Sequence, residues 1–237
     1  KNKFFHIYIS IFILAEVLIF LSGDRTAFFY LNFSEIFVIM FSQKLLKLRL
    51  FSWLCGILIL ALISFINPSA KERVIDLTLS EMNLVDKQDI GEKNINEKEK
   101  IIFTKQHTAH YITAYRMFLD NKILGVGVKN YRNFCNDDKY LLNKFSCSTH
   151  PHNTYIQILS ETGIIGFLFL IIFLIYFCYY LFKHFLLRLK KKYLFTDFEI
   201  CILSGVALYL WPFVPTGNIF NNWLNIIFIL NLPLFIW

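Results

Sequence analysis

The chain of 237 residues is 56% hydrophobic, contains 27 Phe, has a mean hydropathy of +0.51 and carries a net charge of +7. Soluble domains average about 45–50% apolar residues, so this excess has no place in a water-soluble core and excludes an ordinary soluble protein. The cations are scattered between apolar runs rather than gathered in one stripe, which speaks against nucleic acid as a partner and for the loop charges of a membrane protein.

Apolar runs close to the 20 or so residues that cross a bilayer as a helix recur six times. They cover residues 4–21, 26–42, 50–66, 164–182, 198–214 and 219–237, the third stopped by Asn67-Pro68 and the fifth broken at Pro212. The expected fold is an all-α polytopic membrane protein. Residues 1–67 hold transmembrane helices 1–3, residues 68–161 form one large extracytoplasmic loop, and residues 162–237 hold transmembrane helices 4–6. Orientation follows from Lys and Arg in short loops. Lys44, Lys47 and Arg49, and later Lys183, Arg188, Lys190, Lys191 and Lys192, mark two cytoplasmic loops, with Lys1 and Lys3 on the same side. The turn Ser22-Gly23-Asp24-Arg25, the large loop and Pro215-Thr216-Gly217 then face outward. Glu16 and Glu35 fall at membrane depth, where an ionisable side chain marks either a functional site or a hydrogen bond between helices. The chain starts Lys1-Asn2-Lys3 without Met, and the expectation is that further spans precede it.

The large loop divides by composition. Residues 70–100 are rich in Lys, Glu, Asp and Asn, lack aromatic side chains and read as a solvated segment. Residues 104–120 have helical spacing, with Tyr111, Ala114, Tyr115 and Phe118 on one apolar face and His107 near His110. Asn121-Lys122 and Gly125-Val126-Gly127 break that helix, and the glycines permit close backbone approach. They lack the third glycine and the strand–turn–helix setting of a dinucleotide fingerprint. Cys135 and Cys147 face an oxidising compartment, which favours a disulfide worth about 3 kcal/mol in the chain-entropy model. The rival is a metal site of Cys135, Cys147, His150 and His152, whose spacing matches no standard zinc pattern. Cys55, Cys178 and Cys201 lie in spans as packing residues. The densest polar cluster is Ser148-Thr149-His150-Pro151-His152-Asn153-Thr154-Tyr155, followed by Glu161-Thr162-Gly163-Ile164-Ile165-Gly166. A histidine there can take a proton from an attacking hydroxyl.

At these residues the chain resembles the O-antigen ligase and O-antigen polymerase family. His152-Asn153, then Gly163-Ile164-Ile165-Gly166 and the following span, carry the core of the likeness. Three further pieces are similar and stand in the family order: Leu21-Ser22-Gly23-Asp24-Arg25-Thr26, the stretch from Leu124-Gly125-Val126-Gly127 to Arg132, and residues 213–223 with Asn221-Asn222-Trp223. Two departures stand out. Members carry about twice as many spans, so this sequence reads as a C-terminal portion. Many also place a second Arg early in the helix before Gly-x-Gly, roughly where His107 and His110 stand here, with Arg116 further along.

The resemblance implies a GT-C-like, metal-independent membrane glycosyltransferase of a bacterial-type inner membrane, with the large loop periplasmic. It implies no cofactor and a polyprenyl diphosphate-linked glycan as donor. Membrane lipid surrounds the chain, and a chain-length regulator or the missing N-terminal spans are candidate partners. His152 is the expected base. Arg25, Arg116 and Arg132 are expected at the diphosphate, since Arg binds phosphate bidentately and stays charged. The bland alternative for Arg25 is an interfacial anchor, and for His152 a helix-entry hydrogen bond. His150, Asn153, Glu161, His107 and His110 are the supporting residues. Tyr131, Tyr140 and Tyr155 either stack on sugars or pack. Polymerisation in O-antigen or surface polysaccharide assembly is the favoured function, ligation onto lipid A core or protein the first alternative, and lipid-linked sugar transport the second.

Overall fold

The computed structural model describes residues 5–81, 104–221 and 226, and among them every regular element is a helix. The expected sixth span, apart from its first three residues and Ile226, lies outside the described residues. So do most of the charged segment 70–100 and the ends Lys1, Lys3 and Trp223. The chain forms two compact units, residues 1–102 and 103–237.

In the first unit α1 (Phe5–Ser22), α2 (Arg25–Phe41) and α3 (Leu46–Ile66) pack on one another. Asp24 caps α2, its side chain accepting from Ala27 N at 3.0 Å. Asn67 ends α3 and caps the next helix by accepting from Ala70 N. The short α4 (Pro68–Lys71), a π-helical turn (Glu72–Asp76) and α5 (Leu77–Glu81) follow. Ala70 and Val74 of this run are buried in one apolar cluster with Phe20 and Leu60, bordered by Val17, Phe28 and Ile63. Glu16 and Glu35 are both buried, and Gly56 leaves the space that Glu16 fills, since a Cβ there would lie 1.8 Å from its Oε2.

The second unit holds α6 (Lys105–Asp120), α7 (Tyr131–Phe134), α8 (Thr154–Leu189) and α9 (Asp197–Tyr209). Thr104 caps α6. The buried face of α6 is Ala109, His110, Thr113, Ala114 and Met117, while Tyr115 is 47% exposed. The expected apolar face is thus corrected: beside Ala114 and Met117, the polar His110 and Thr113 face inward, His110 stacking on the His152 ring just before α8. Tyr131 and Tyr140 are buried with Ala114, Met117 and Cys135, so both tyrosines pack and neither is open to a sugar ring. The Tyr155 hydroxyl donates to Leu210 O at 2.5 Å.

α8 is interrupted at Gly163, whose φ of 66° and ψ of −163° fall in a region open essentially to glycine alone. There the chain crosses residues 122–127 backbone to backbone. Val126 N donates to Ser160 O and Gly127 N to Glu161 O, both at 2.9 Å, and Ile164 N donates to Lys122 O at 2.8 Å. A Cβ on Gly163 would lie 2.2 Å from Ile123 O, and one on Gly125 would lie 2.4 Å from the Glu161 carbonyl carbon.

Leu46–Ile66 and Thr154–Leu189 are long and apolar enough to cross a membrane, and Ile9–Ser22 is a shorter apolar helix. α9 stops at Tyr209, short of the expected residue 214. Pro212 cannot continue a helix, and the chain beyond it turns back to the start of α8, where Gln157 Nε2 donates to Asn218 Oδ1 at 2.8 Å. At the other end of α8, buried His184 accepts through Nδ1 from Leu194 N and Phe195 N, closing the basic turn that leads to α9.

Replacing Gly163 by Ala forces a side chain into this crossing and into a forbidden φ/ψ region. The expected cost is on the order of 3 kcal/mol, read as a lowered thermal midpoint of the purified protein in detergent. An unchanged midpoint would mean that the crossing does not hold the second unit.

Candidate functional site

Four histidines converge in the second unit. His107 and His110 come from α6, one turn apart. His150 and His152 come from the irregular, bent segment that enters α8. The ring centroids of His150 and His152 are 4.1 Å apart, those of His110 and His152 5.3 Å, those of His107 and His152 5.5 Å, and those of His107 and His110 6.0 Å. His152 is therefore the hub. Its backbone has φ +57°, a left-handed conformation that costs a non-glycine residue roughly 1–2 kcal/mol. The bond from Thr216 N to His152 O at 2.9 Å helps hold it there.

Each neighbour has a local reason for its position. His150 Nε2 stands 3.1 Å from Thr216 O, and a carbonyl only accepts, so Nε2 carries the proton. Nδ1 then accepts from the Thr149 hydroxyl at 2.9 Å. Asn153 caps α8 through Oδ1, which accepts from Tyr155 N and Ile156 N, and its Nδ2 donates to Pro212 O at 2.8 Å. The side chain of Asn153 is thus committed to the helix start. Pro212 and Thr216 are site residues that sequence reasoning missed: Pro215-Thr216-Gly217 reads only as an outward turn, and no spacing links it to His150.

Glu161 is 1% exposed and does not orient an imidazole directly. Its Oε1 accepts from Tyr131 N at 3.0 Å, and its Oε2 from Lys129 N and Gln157 Nε2, both at 3.1 Å. It ties the glycine loop to α8. Arg116 is similarly occupied, its Nη1 donating to Leu141 O at 2.8 Å and Tyr140 O at 3.4 Å. Arg132 is exposed and bonds through Nε to Lys129 O at 3.4 Å. Cys135 and Cys147 are joined as a disulfide with Cα atoms 4.9 Å apart. Arg25, the first residue of α2, belongs to the other unit. No group of three or more His, Cys, Asp or Glu placed to hold a metal occurs among the described residues.

Burial and mutual repulsion set the protonation of the cluster. His110 is wholly buried, and burial, then the charges of His107 and His150, push it down to about 4, the Phe145 backbone opposing. Burial, then His150, His110 and His107, push His152 down to about 4. Burial also lowers His150, against the Thr216 carbonyl and Glu161, which favour its charged form. At neutral pH His110 and His152 are uncharged, and the His152 ring is able to accept a proton.

A family model described as O-antigen ligase matches residues 9–171. The chain belongs to the O-antigen ligase family. The match contains Arg25, Arg116, Arg132, His152 and Gly163, and ends before residues 213–223. Members of this family are glycosyltransferase-like membrane enzymes. No curated protein and no solved structure matches the chain.

The histidine cluster makes stability depend on pH with a definite sign. Unfolded histidine titrates near 6.5, whereas His110 and His152 titrate near 4 in the folded protein. Between those values the unfolded chain binds more protons, so the cluster's contribution is complete above about pH 6.5 and is lost as pH falls toward 4. The thermal midpoint should be level above about pH 6.5 and fall below it, and His110→Phe should flatten the fall. A midpoint that rises on acidification would contradict a buried neutral cluster.

Proposed function

We propose that the protein transfers a glycan from a polyprenyl diphosphate carrier to a sugar hydroxyl, with polymerisation of repeat units the favoured outcome. One observation carries this reading: a part-exposed histidine at the hub of a largely buried cluster, held uncharged and in a strained backbone conformation. Such strain gathers at functional sites.

In the reaction the acceptor hydroxyl oxygen attacks the anomeric carbon. The bond from that carbon to the phosphate oxygen breaks, and polyprenyl diphosphate leaves with the electron pair. The hydroxyl proton passes to His152 as general base. A diphosphate leaves as a stable anion, so the departing group needs cations rather than a strong acid. Arg25 supplies a guanidinium for it, with bidentate geometry suited to phosphate oxygens. In this reading guanidinium does the work otherwise given to a metal. Arg132 is exposed and free of carboxylate partners among the described residues, which suits it to the same task better than Arg116, whose Nη1 is taken up by two backbone carbonyls. The large loop is read as periplasmic and the membrane as a bacterial inner membrane.

Ligation of a finished glycan is the second reading, favoured by the description of the matching family, O-antigen ligase. The chemistry is shared and only the acceptor differs. The polymerase reading rests on the His150-Pro151-His152-Asn153 run next to a disulfide-closed strap.

Purified protein supplied with a lipid-linked repeat unit should build a glycan ladder, and His152→Ala should lower the rate by about 100-fold or more, the usual scale of a lost general base. Transfer only to added lipid A core would make the protein a ligase. A folded His152→Ala variant with wild-type turnover would remove His152 from the chemistry, and binding of the lipid without any transfer would favour a transporter.

A further inference from the structure

The family likeness leaves a gap. A second cation is expected in α6, yet its early turn holds histidines, and Arg116 is bonded to loop carbonyls. Another guanidinium stands in the first unit, in a stretch whose sequence reads only as solvated.

Arg73 lies on the π-helical turn Glu72–Asp76. Ala70 and Val74, on either side of it, are buried against Phe20 at the end of α1 and Leu60 near the end of α3, with Phe28 of the first turn of α2 beside them. This apolar anchor fixes the π turn to the end of the unit where α1 turns into α2. The Arg73 side chain then runs across Gly23 in that turn. A Cβ on Gly23 would lie 3.3 Å from Arg73 Cδ and 3.5 Å from both Cβ and Nε. Gly23 has φ +76°, so the turn needs glycine for its backbone as well as for this approach. Two residues on, Arg25 opens α2.

Arg73 Nε donates to Ser69 O at 3.2 Å, which orients the guanidinium from its inner edge. Among the described residues no ion pair or further hydrogen bond engages its terminal nitrogens, and the residue is exposed. The neighbouring acids are mostly committed. Asp24 caps α2, and Asp76 pairs with Lys71 at 3.6 Å. Glu72 is exposed and adjacent in sequence, and consecutive residues of a helix do not face each other. Single π turns of this kind occur frequently at functional sites.

We propose that Arg73 is a second guanidinium for the diphosphate of the lipid-linked donor, acting beside Arg25 on the turn that Gly23 opens. The proposal rests on the transferase reading above. It makes Arg73 a binding residue for the leaving group, with no part in proton transfer.

The test uses the full chain in lipid nanodiscs, with polyprenyl diphosphate lacking sugar as the probe and polyprenyl monophosphate as the comparison. Arg73→Ala should weaken diphosphate binding by about tenfold, the scale of a lost charge-assisted hydrogen-bond pair. Arg73→Lys should restore only part of it, because the ammonium lacks the fork. The monophosphate should discriminate less between the variants. Losses from Arg73→Ala and Arg25→Ala should be non-additive if both touch one ligand. In the transfer assay Arg73→Ala should lower kcat/KM for the lipid by about tenfold, kcat included because the charge it meets grows as the diphosphate leaves, without moving the pH dependence set by His152. Equal binding by wild type and Arg73→Ala, with Arg25→Ala impaired, overturns the assignment and leaves the transferase reading standing. A wild-type protein that binds no polyprenyl diphosphate overturns both. Arg73 is exposed, so its variants should keep the wild-type thermal midpoint, and Arg73→Gln with the same binding loss would exclude a packing effect of the shortened side chain.

Discussion

The second unit depends on a crossing of two backbones with no side chain between them. Residues 122–127 meet residues 160–165 through direct amide–carbonyl bonds, and Gly125 and Gly163 are what let them touch. Each such bond contributes only about 1 kcal/mol net, but a buried amide or carbonyl left unpaired here would cost more than that. Glu161 extends the crossing. Its carboxylate is out of water, a costly placement for a charge, and three N–H donors from the glycine loop, α7 and α8 compensate it. The consequence reaches the site, because α6 is fixed to α8 at one end by this crossing. His107 and His110 are thereby held against the segment that delivers His150 and His152.

The electrostatics of the four histidines clarify what they can contribute. Histidines this close repel one another when charged, and burial opposes charging His110, His150 and His152. A neutral imidazole is available as a proton acceptor across the physiological range. The same depression makes it a weaker base, so efficient use requires that the hydroxyl become acidic late, as its oxygen bonds to the anomeric carbon. A neutral imidazole is also a poor substitute for a guanidinium. His110, roughly where the family resemblance leads one to expect an arginine, is held uncharged by its own surroundings. Under the proposed transfer, charge for the leaving diphosphate therefore falls to arginine, which keeps its proton.

Much of this was legible in the sequence. Continuous apolar runs located α1, α2 and α3 within a few residues, whereas α8 starts at Thr154 and ends at Leu189, well outside the expected 164–182, because its first turns are polar and capped by Asn153. The helix at residues 105–120 was equally plain. Its buried face was not, since His110 and Thr113 are polar by composition and only the arrival of the His152 segment makes them interior. The glycines signalled a close approach without naming what approaches: Gly125 and Gly163 are 38 residues apart by number, and nothing local pairs them. Glu161 and Arg116 looked chemical because charged residues near a histidine cluster usually do. Apart from Gln157, their hydrogen-bond partners are backbone groups, which carry no sequence signature. Arg73 was invisible for the opposite reason, lying in a polar stretch whose neighbours Ala70 and Val74 reveal an anchor only once α1 and α3 are in place.

The strap between Cys135 and Cys147 shows how such occupied residues still serve the site. The disulfide closes it, Arg116 grips the carbonyls of Tyr140 and Leu141, and the buried Tyr131 hydroxyl donates to Ser146 O at 2.5 Å. None of these groups bonds to the His152 ring. They fix the residue at which the strap ends, and five positions beyond Cys147 the chain reaches His152 in its left-handed conformation. A histidine held that way has few orientations to lose when an acceptor arrives, which is the entropic advantage of preorganisation. Arg116 is best understood as part of this frame: a guanidinium that positions backbone where the family likeness would have it hold phosphate.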